Sequence, residues 1–313
     1  MVAPEVPTVA PEETPTVATL REGQEVRGVF ACARKERSLS RAGTPYLTVE
    51  LRDRTGSILA RAFRDADLLA GRFERGELVR VEGRVERFRD QLQLGLRAIA
   101  RAEGAAADPA GFLPSAYRDL DELEGFYEHL ARELYEPGLR ALLERVLGEQ
   151  TLRAELRRAP CALPTPTRPG GAPRGGVGGH HAYLGGLLEH TVAVATLALE
   201  LCTLHPRLDR DLLLAAALLH DLGKTREYTY GAEIARSEEG RLLGHVELGL
   251  RLLAPRYPAS LGEPRRLALE HCILAHHGPD ALPGQRFGSA EAVALYRCNA
   301  LDAHLKSAFE HGP

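Results

Sequence analysis

The chain has 313 residues, of which 44% are hydrophobic and 27% are charged, and its formal net charge is −3. These values are ordinary for a folded protein in water, and we find no uncharged apolar run of about 18 residues that would span a membrane. The N-terminus lacks a basic start and an apolar stretch, so we expect no secretory signal. Five scattered cysteines without zinc-ribbon spacing predict reduced thiols in a cytoplasmic protein.

Charge is distributed unevenly along the chain. Residues 21–101 carry 18 Lys and Arg against 12 Asp and Glu, whereas residues 102–313 carry 22 against 28. A basic front and an acidic back favour contact with a polyanion at the front. Simple drift of surface charge is the alternative explanation.

The front of the chain reads as strands. Residues 1–19, rich in Pro, Thr, Val and Glu, predict a disordered tail. Five stretches within residues 20–102 show strand-type alternation between turn signals: EVRGVFACARKERS, PYLTVELRD, GSILARAF, ELVRVEGRVERF and QLQLGLRAIARA. Such a series predicts a small closed barrel, and FRDADLLAGRF fits a short helix between its third and fourth strands.

The rest of the chain reads as helices. Residues 103–115 predict a linker, and residues 116–313 predict a helical domain from apolar residues at three- and four-residue spacing. The helices after residue 180 are expected near 182–204, 210–221, 242–254, 264–276 and 289–310. Residues 159–179, rich in Pro and Gly, predict a long flexible loop before the first histidines. The predicted fold class is therefore multidomain, an all-β barrel followed by an all-α bundle.

Histidines crowd into the helical region, where eleven of the twelve lie beyond residue 179. One buried histidine is ordinary, but several on separate apolar helices favour a shared metal site, because unpartnered polar groups are costly to bury. Imidazole with carboxylate suits Zn, Mn, Fe, Co or Ni, and so many ligands fit two ions rather than one. The candidate ligands are His190, His220, Asp221, His245, His276, His277, Asn299 and Asp302.

The ordered series HHAYLGGLLEHT, ALLHDLGK, GHVELG, ILAHHG and EAVALYRCNALDAHL resembles the HD-domain metal-dependent phosphohydrolases. Together with the predicted barrel it is similar, over residues 20–310, to the YhaM-type 3′→5′ exoribonucleases. The resemblance implies an OB-fold joined to an HD domain, with Asp221 bridging two divalent ions. The implied ligands are His190 and His220 for the first ion, and His245, His276 and His277 for the second.

By the same resemblance, metal-bound hydroxide attacks the phosphodiester phosphorus, and Mn²⁺ is the expected ion, with Fe, Co, Ni and Mg as alternatives. One feature departs from the family pattern. The family closes the first metal site with an Asp on the last helix, three residues before a second Asp. Here these positions hold Asn299, a neutral and weaker ligand, and Asp302, which lies one turn further on and is a candidate substitute.

Lys224 is one of only three lysines among 40 basic residues, and it lies three residues after Asp221. We predict a catalytic role for His220, Asp221 and Lys224, with the Lys224 ammonium binding a substrate phosphate. Compensation of a helix dipole is the alternative for the lysine. Weaker candidates for substrate contact, with a structural hydrogen bond as the equal alternative, are His180, His181 and Tyr183.

The predicted barrel resembles an OB-fold of the nucleic-acid-binding kind, which holds single strands with basic grooves and aromatic platforms. Candidates for phosphate contact are Arg34, Lys35, Arg61 and Arg64, and candidates for base stacking are Tyr46, Phe63 and Phe88. For each of them, barrel filling or a solvated strand face is the alternative.

The sequence therefore predicts a cytoplasmic, metal-dependent 3′→5′ exoribonuclease that acts on single-stranded RNA, with single-stranded DNA as a second partner and no membrane. The oligomeric state is open, and a homo-oligomer is one option. Two other functions also stay open. One is a nucleic-acid-binding protein with a degenerate HD site, for which Asn299 is the best support. The other is an HD phosphodiesterase acting on a small or cyclic nucleotide.

Overall fold

The computed structural model describes residues 15–39, 43–53, 55–89, 91–104, 111–164, 179–282 and 284–311. The chain divides into two compact units, Met1–Leu113 with Gly231–Glu233, and Pro114–Tyr230 with Ile234–Pro313. Most of the predicted tail, the middle of the predicted linker and most of the predicted loop at 159–179 lie outside the described residues. The predicted domain limits therefore stay predictions.

The first unit contains a closed five-stranded barrel in the order β1-β2-β3-β5-β4. Its strands are β1 (Glu25–Leu39), β2 (Pro45–Asp53), β3 (Gly56–Ala62), β4 (Leu78–Phe88) and β5 (Gln91–Arg101), with the short helix α1 (Ala66–Ala70) between β3 and β4. Neighbouring strands are antiparallel except for β3 and β5, which are parallel. The predicted all-β barrel is confirmed.

Alternation of apolar residues closes the barrel around one core. In β2, Leu47, Val49 and Leu51 are fully buried, and the residues between them face outward. Successive side chains of a strand point to opposite faces, so one face fills the barrel and the other stays available for contacts. At the β4 bulge, a Cβ on Gly83 would overlap the backbone of β5, which explains the glycine there.

The second unit is built from helices, as predicted. They are α2 (Leu120–Arg132), α3 (Pro137–Gly148), α4 (Gln150–Arg158), α5 (Gly186–Leu204), α6 (Arg210–Leu219), α7 (Lys224–Glu227), α8 (Glu238–Leu253), α9 (Glu263–Ala275) and α10 (Ala290–His311). The expectation of helix throughout this region misses one short hairpin, β6 (Tyr228–Tyr230) with β7 (Ile234–Arg236). The strands there contain aromatic and β-branched residues, which favour extended backbone over helix.

α6 lies at the centre of the helical core. Every residue from Leu212 to Leu219 is buried, as expected for a helix that is apolar on all sides. α5 is long and apolar enough to cross a membrane by length and composition alone. Its Leu187 and Val194 nevertheless pack in the same hydrophobic core as α6. We therefore assign α5 to the core of the helical unit.

Tyr127 connects α2 to the end of α6, because its buried hydroxyl donates a hydrogen bond of 3.0 Å to the carbonyl oxygen of Leu218. We expect Tyr127→Phe to lower the free energy of unfolding by about 1–3 kcal/mol, since the buried carbonyl loses its side-chain donor. Chemical denaturation measures this change. Tyr117→Phe is the matched control, because Tyr117 is 98% exposed and its hydroxyl remains in water. Equal stability of the two variants would contradict the assignment.

Candidate metal centre

Two polar side chains lie in the core at the end of α6. His220 and Asp221 follow the last residue of the helix, and they are 0% and 1% exposed. The Nδ1 of His220 donates to the carbonyl oxygen of Ala217 over 2.9 Å. This contact leaves Nε2 of His220 facing His190 Nε2, at 3.3 Å, and Asp221 Oδ2, at 3.3 Å. His190, His220 and Asp221 form what we call the first cluster.

The other oxygen of the same carboxylate faces a second group of histidines. His245 Nε2 and His276 Nε2 each lie 3.5 Å from Asp221 Oδ1. His277 Nε2 lies 2.8 Å from His245 Nε2. Asp221, His245, His276 and His277 form the second cluster. The two oxygens of Asp221 thus face different clusters.

The donor atoms of both clusters fit divalent cations. Asp221 Oδ1 and His276 Nε2 are shielded from solvent and have no hydrogen-bond partner within the described residues. Buried polar atoms without a partner are rare and call for an explanation such as an ion. Pairs of imidazole nitrogens also face each other at short range in each cluster. A cation between such lone pairs satisfies them together.

Burial favours the neutral, metal-binding form of two of the imidazoles. It lowers the pKa of His190, and it lowers the pKa of His276 to about 4, because the charged ring is poorly solvated there. For Asp221, burial acts to raise the pKa, but the Lys224 ammonium and nearby imidazoles hold it well below the usual range. The site therefore combines neutral nitrogen donors at His190 and His276 with an ionised carboxylate.

Lys224 lies inside the protein rather than facing solvent. Its side chain is 6% exposed, and Nζ lies 2.7 Å from Asp221 Oδ2. The same ammonium donates to Cys161 Sγ over 3.3 Å. The ammonium therefore compensates the charge of the buried carboxylate, and its contact with a substrate phosphate stays a prediction.

Asn299 and Asp302 of α10 occupy different surroundings. Asn299 Nδ2 donates to the carbonyl oxygen of His276 over 3.1 Å, and this bond ties α10 to the end of α9. Asp302 Oδ2 accepts from His190 Nδ1 at 2.6 Å and lies 3.0 Å from His181 Nε2. Since Nδ1 and Nε2 lie on opposite sides of an imidazole, Asp302 lies behind His190 as seen from Asp221. Its place is that of a partner that orients a ligand.

The three weaker candidates for substrate contact also lie in different surroundings. His181 is buried, and its Nδ1 lies 2.9 Å from the hydroxyl of Tyr183. Tyr183 in turn donates to Glu189, which also accepts from Lys306. These contacts favour the structural alternative for His181 and Tyr183. The remaining candidate, His180, has its ring centroid 5.6 Å from that of His190 and so lies beside the first cluster.

Two residues at the site, Cys161 and Glu227, were not predicted from the sequence. Cys161 is fully buried, and its Sγ lies 3.8 Å from Asp221 Oδ2. It falls in the Pro-rich stretch that we predicted as a loop, where a single cysteine has no informative spacing. Glu227 Oε2 lies 3.1 Å from His245 Nδ1. Its position six residues after Asp221 indicates a contact only once the turn between α6 and α7 is known.

On the barrel, four of the predicted nucleic-acid contacts lie on one outer face. The rings of Tyr46 and Phe63 stack with centroids 5.6 Å apart and planes 26° apart. Arg61, two residues from Phe63 on β3, lies over the ring of Phe88 at 5.3 Å. Phe63 and Phe88 are 60% and 46% exposed, so neither simply fills the barrel. We call these four residues the aromatic strip.

The other three predicted phosphate contacts are not part of the aromatic strip. Arg34 forms an ion pair with Glu36, and Lys35 forms one with Glu74. Lys35 also donates to the carbonyl oxygen of Phe73 over 2.6 Å. Arg64 is exposed two residues beyond the end of β3. The charges of Arg34 and Lys35 are thus partly compensated within the barrel unit.

Known families match both units. An HD domain matches residues 187–303, and an OB-fold nucleic acid binding domain matches residues 29–99. The 3′-5′ exoribonucleases YhaM of Bacillus velezensis and Bacillus subtilis are each 28% identical over 291 residues, which is 90% of this chain and 86% of theirs. YhaM of a Geobacillus strain is 28% identical over 293 residues, 90% of this chain and 83% of its own. The chain therefore carries an OB-fold match followed by an HD-domain match, and it is similar to the YhaM exoribonucleases along nine-tenths of its length.

Proposed function

We propose that this protein is a metal-dependent 3′→5′ exoribonuclease whose OB-fold binds single-stranded RNA and whose HD site hydrolyses its phosphodiester bonds. The observation that carries the proposal is the position of Asp221, whose two oxygens face two separate clusters of histidines. That arrangement fits a bridged pair of ions, which is a recurrent device of phosphodiester hydrolysis. The relatives named as 3′-5′ exoribonucleases align along nine-tenths of the chain.

The two clusters divide the ligands between the ions. His190, His220 and Asp221 Oδ2 would hold the first ion, and the second cluster with Asp221 Oδ1 would hold the other. When bound, the ions supply an activated water and stabilise charge on the phosphate oxygens. We propose Mn²⁺ as the native metal, with Fe, Co, Ni or Mg as substitutes, because the donors are imidazole nitrogens and carboxylate oxygen.

The chain itself keeps these donors in place. Backbone carbonyls fix the tautomers of His220 and His276, since each ring uses its Nδ1–H for a carbonyl oxygen. Asp302 does the same for His190. Lys224 balances the charge of Asp221 before any substrate arrives. The protein groups therefore need little rearrangement on binding metal, which favours reaction.

The aromatic strip is suited to a single strand. Stacked rings with an arginine beside them accept bases without regard to sequence, and each stacked base contributes about 1–3 kcal/mol. RNA is the substrate we propose, and single-stranded DNA would bind the same strip. The free cysteines fit the cytoplasm, where thiols stay reduced. A homo-oligomer is compatible with this function and is measured by sedimentation.

Asp221→Asn should abolish cleavage, because it removes a charged ligand shared by both ions. We expect the cleavage rate to fall at least about a hundredfold, because mutation of a residue that only hydrogen-bonds to a metal ligand already lowers activity by up to that factor. The measurement is cleavage of 5′-labelled single-stranded RNA with Mn²⁺, in which the wild type yields a ladder shortening from the 3′ end and EDTA stops it. His205→Ala, at an exposed position, is the control. RNA that is bound by the wild type but stays intact would favour the nucleic-acid-binding alternative. Hydrolysis of small or cyclic nucleotides alone would favour the phosphodiesterase alternative.

Asp302→Asn should weaken metal binding without removing an ion. We expect an affinity loss of roughly tenfold to a hundredfold, because His190 loses a charged partner that orients it. Equilibrium dialysis with Mn²⁺ should still reach two ions per chain at high concentration. Asp280→Asn, at an exposed residue, serves as control. Saturation at one ion per chain would instead identify Asp302 as a direct ligand.

Phe63→Ala should weaken RNA binding by roughly fivefold to a hundredfold, because one stacked base is lost. Arg61→Ala should also reduce the slope of log affinity against log salt concentration by about 1. Binding is measured in the Asp221→Asn background, so that the RNA remains intact. Leu68→Ala is the matched control, since Leu68 is as exposed as Phe63 in the same unit but lies on α1. Equal effects at Leu68 and Phe63 would refute a role of the aromatic strip.

A further inference from the structure

A thiol lies beside the first cluster. Cys161 follows α4, and its backbone N–H donates to the carbonyl oxygen of His181 over 3.1 Å. This bond holds Cys161 next to residues 180–183. The side chain is fully buried, and Sγ lies 3.8 Å from Asp221 Oδ2. This is the carboxylate oxygen that His190 and His220 also approach. The sulfur is therefore directed at the same ligand oxygen as the first cluster.

His180 approaches from the same segment. One ligand atom each of Cys161, His180 and His190 lies within 4.8 Å of the other two. In a zinc site a sulfur and a nitrogen ligand can be at most about 4.4 Å apart, the sum of their bond lengths to the ion, so a small closure suffices. His180 Nδ1 is shielded from solvent and has no hydrogen-bond partner among the residues that the structure describes. A cation would satisfy that nitrogen.

An ion at the first cluster could bind additional ligands. It offers two imidazoles and one shared carboxylate. Asn299 uses its amide N–H on the carbonyl oxygen of His276, and Asp302 lies behind His190. Neither adds a charged ligand on the side of the ring that faces Asp221. The thiol of Cys161 lies on the Asp221 side of the cluster and can become negatively charged.

We propose that Cys161 and His180 join His190 in binding a thiol-preferring divalent cation, of the zinc and cobalt class, at the first cluster. The proposal rests on the proposed function only in placing one ion of the pair there. A thiolate ligand selects zinc-like ions, whereas carboxylate and water suit Mn²⁺ and Mg²⁺. The first cluster, which also binds Mn²⁺, would then prefer a zinc-like ion, whereas the second cluster would keep the preference for Mn²⁺ proposed above.

The surroundings of the sulfur suit a metal-bound thiolate. Sγ of Cys161 lies 3.3 Å from the Lys224 ammonium and 3.8 Å from Asp221 Oδ2. A cation that binds sulfur strongly displaces the proton to solvent, and a nearby ammonium stabilises the thiolate that remains.

Titration of the full-length, metal-stripped protein with Co²⁺ tests the proposal, because a thiolate bound to cobalt gives a charge-transfer absorption that nitrogen and oxygen ligands do not. The wild type should develop this absorption. Cys161→Ser should lack it and bind its first Co²⁺ at least about tenfold more weakly. His180→Gln should keep the absorption but require more Co²⁺ to reach it. Cys272→Ser is the matched control, since Cys272 is equally buried in the same unit and should leave the spectrum unchanged.

Absence of the band in the wild type, or its persistence in Cys161→Ser, would overturn the proposal. Thermal unfolding of Cys161→Ser and Cys161→Ala shows whether each variant is folded, and the test uses whichever variant unfolds as the wild type does. The cobalt spectrum is recorded without RNA, so it tests the thiolate site independently of the proposed nuclease activity. Cobalt–thiolate absorption without RNA cleavage refutes the nuclease, and RNA cleavage without that absorption refutes the thiolate site.

Discussion

The helical unit depends on one buried carboxylate. Asp221 lies at the end of an apolar helix, in a core where an unpaired ionised group would cost several kcal/mol. Its charge is compensated on one side by the ammonium of Lys224, and its two oxygens are surrounded by imidazoles from other segments of the chain. α5, α8 and the end of α9 each bring an imidazole to this group. Removal of that charge would leave the ammonium and the histidines without their common partner.

The same local device positions two of the histidines. His220 and His276 each stand directly after the last residue of a helix, and each uses Nδ1 to cap the carbonyl oxygen three residues earlier. The last carbonyls of a helix lack their usual partners within it, and this contact gives each of the two carbonyls a side-chain donor. It also directs Nε2 away from the helix, toward Asp221. A helix that ends on histidine therefore both completes its hydrogen bonding and presents a metal donor.

Much of this arrangement was predictable from the sequence. Strand alternation predicted all five barrel strands, and the apolar period predicted the helices that carry His190, His220 and His276. The pattern succeeded where neighbours in sequence determine the structure. It failed at contacts between distant segments: Cys161 meets Asp221 from 60 residues away, and Asp302 meets His190 from 112 residues away. Neither spacing corresponds to a turn of helix or a strand register, so only the packing of the helices brings these pairs together.

Lys224 shows a different limit of the sequence. A lysine after the His-Asp pair was expected to contact phosphate, but which way the side chain points depends on what surrounds it. The short turn between α6 and α7 places its ammonium against Asp221 Oδ2, where two opposite charges are buried together. Position in the sequence identified an important residue, and the tertiary structure determined that its first partner is a carboxylate.

Charge balance connects Lys224, Asn299 and Cys161. The ammonium already compensates the negative charge of Asp221, and it repels a divalent ion a few ångströms away by an energy on the order of several kcal/mol. The imidazoles of His190 and His220 bring no negative charge, so they do not offset that repulsion. An aspartate on α10 would supply the missing charge, but position 299 is an asparagine whose amide bonds to a backbone carbonyl. A thiolate at Cys161, in the segment after α4, supplies the same charge beside both the carboxylate and the ammonium. The thiolate therefore compensates electrostatically for the missing aspartate at position 299.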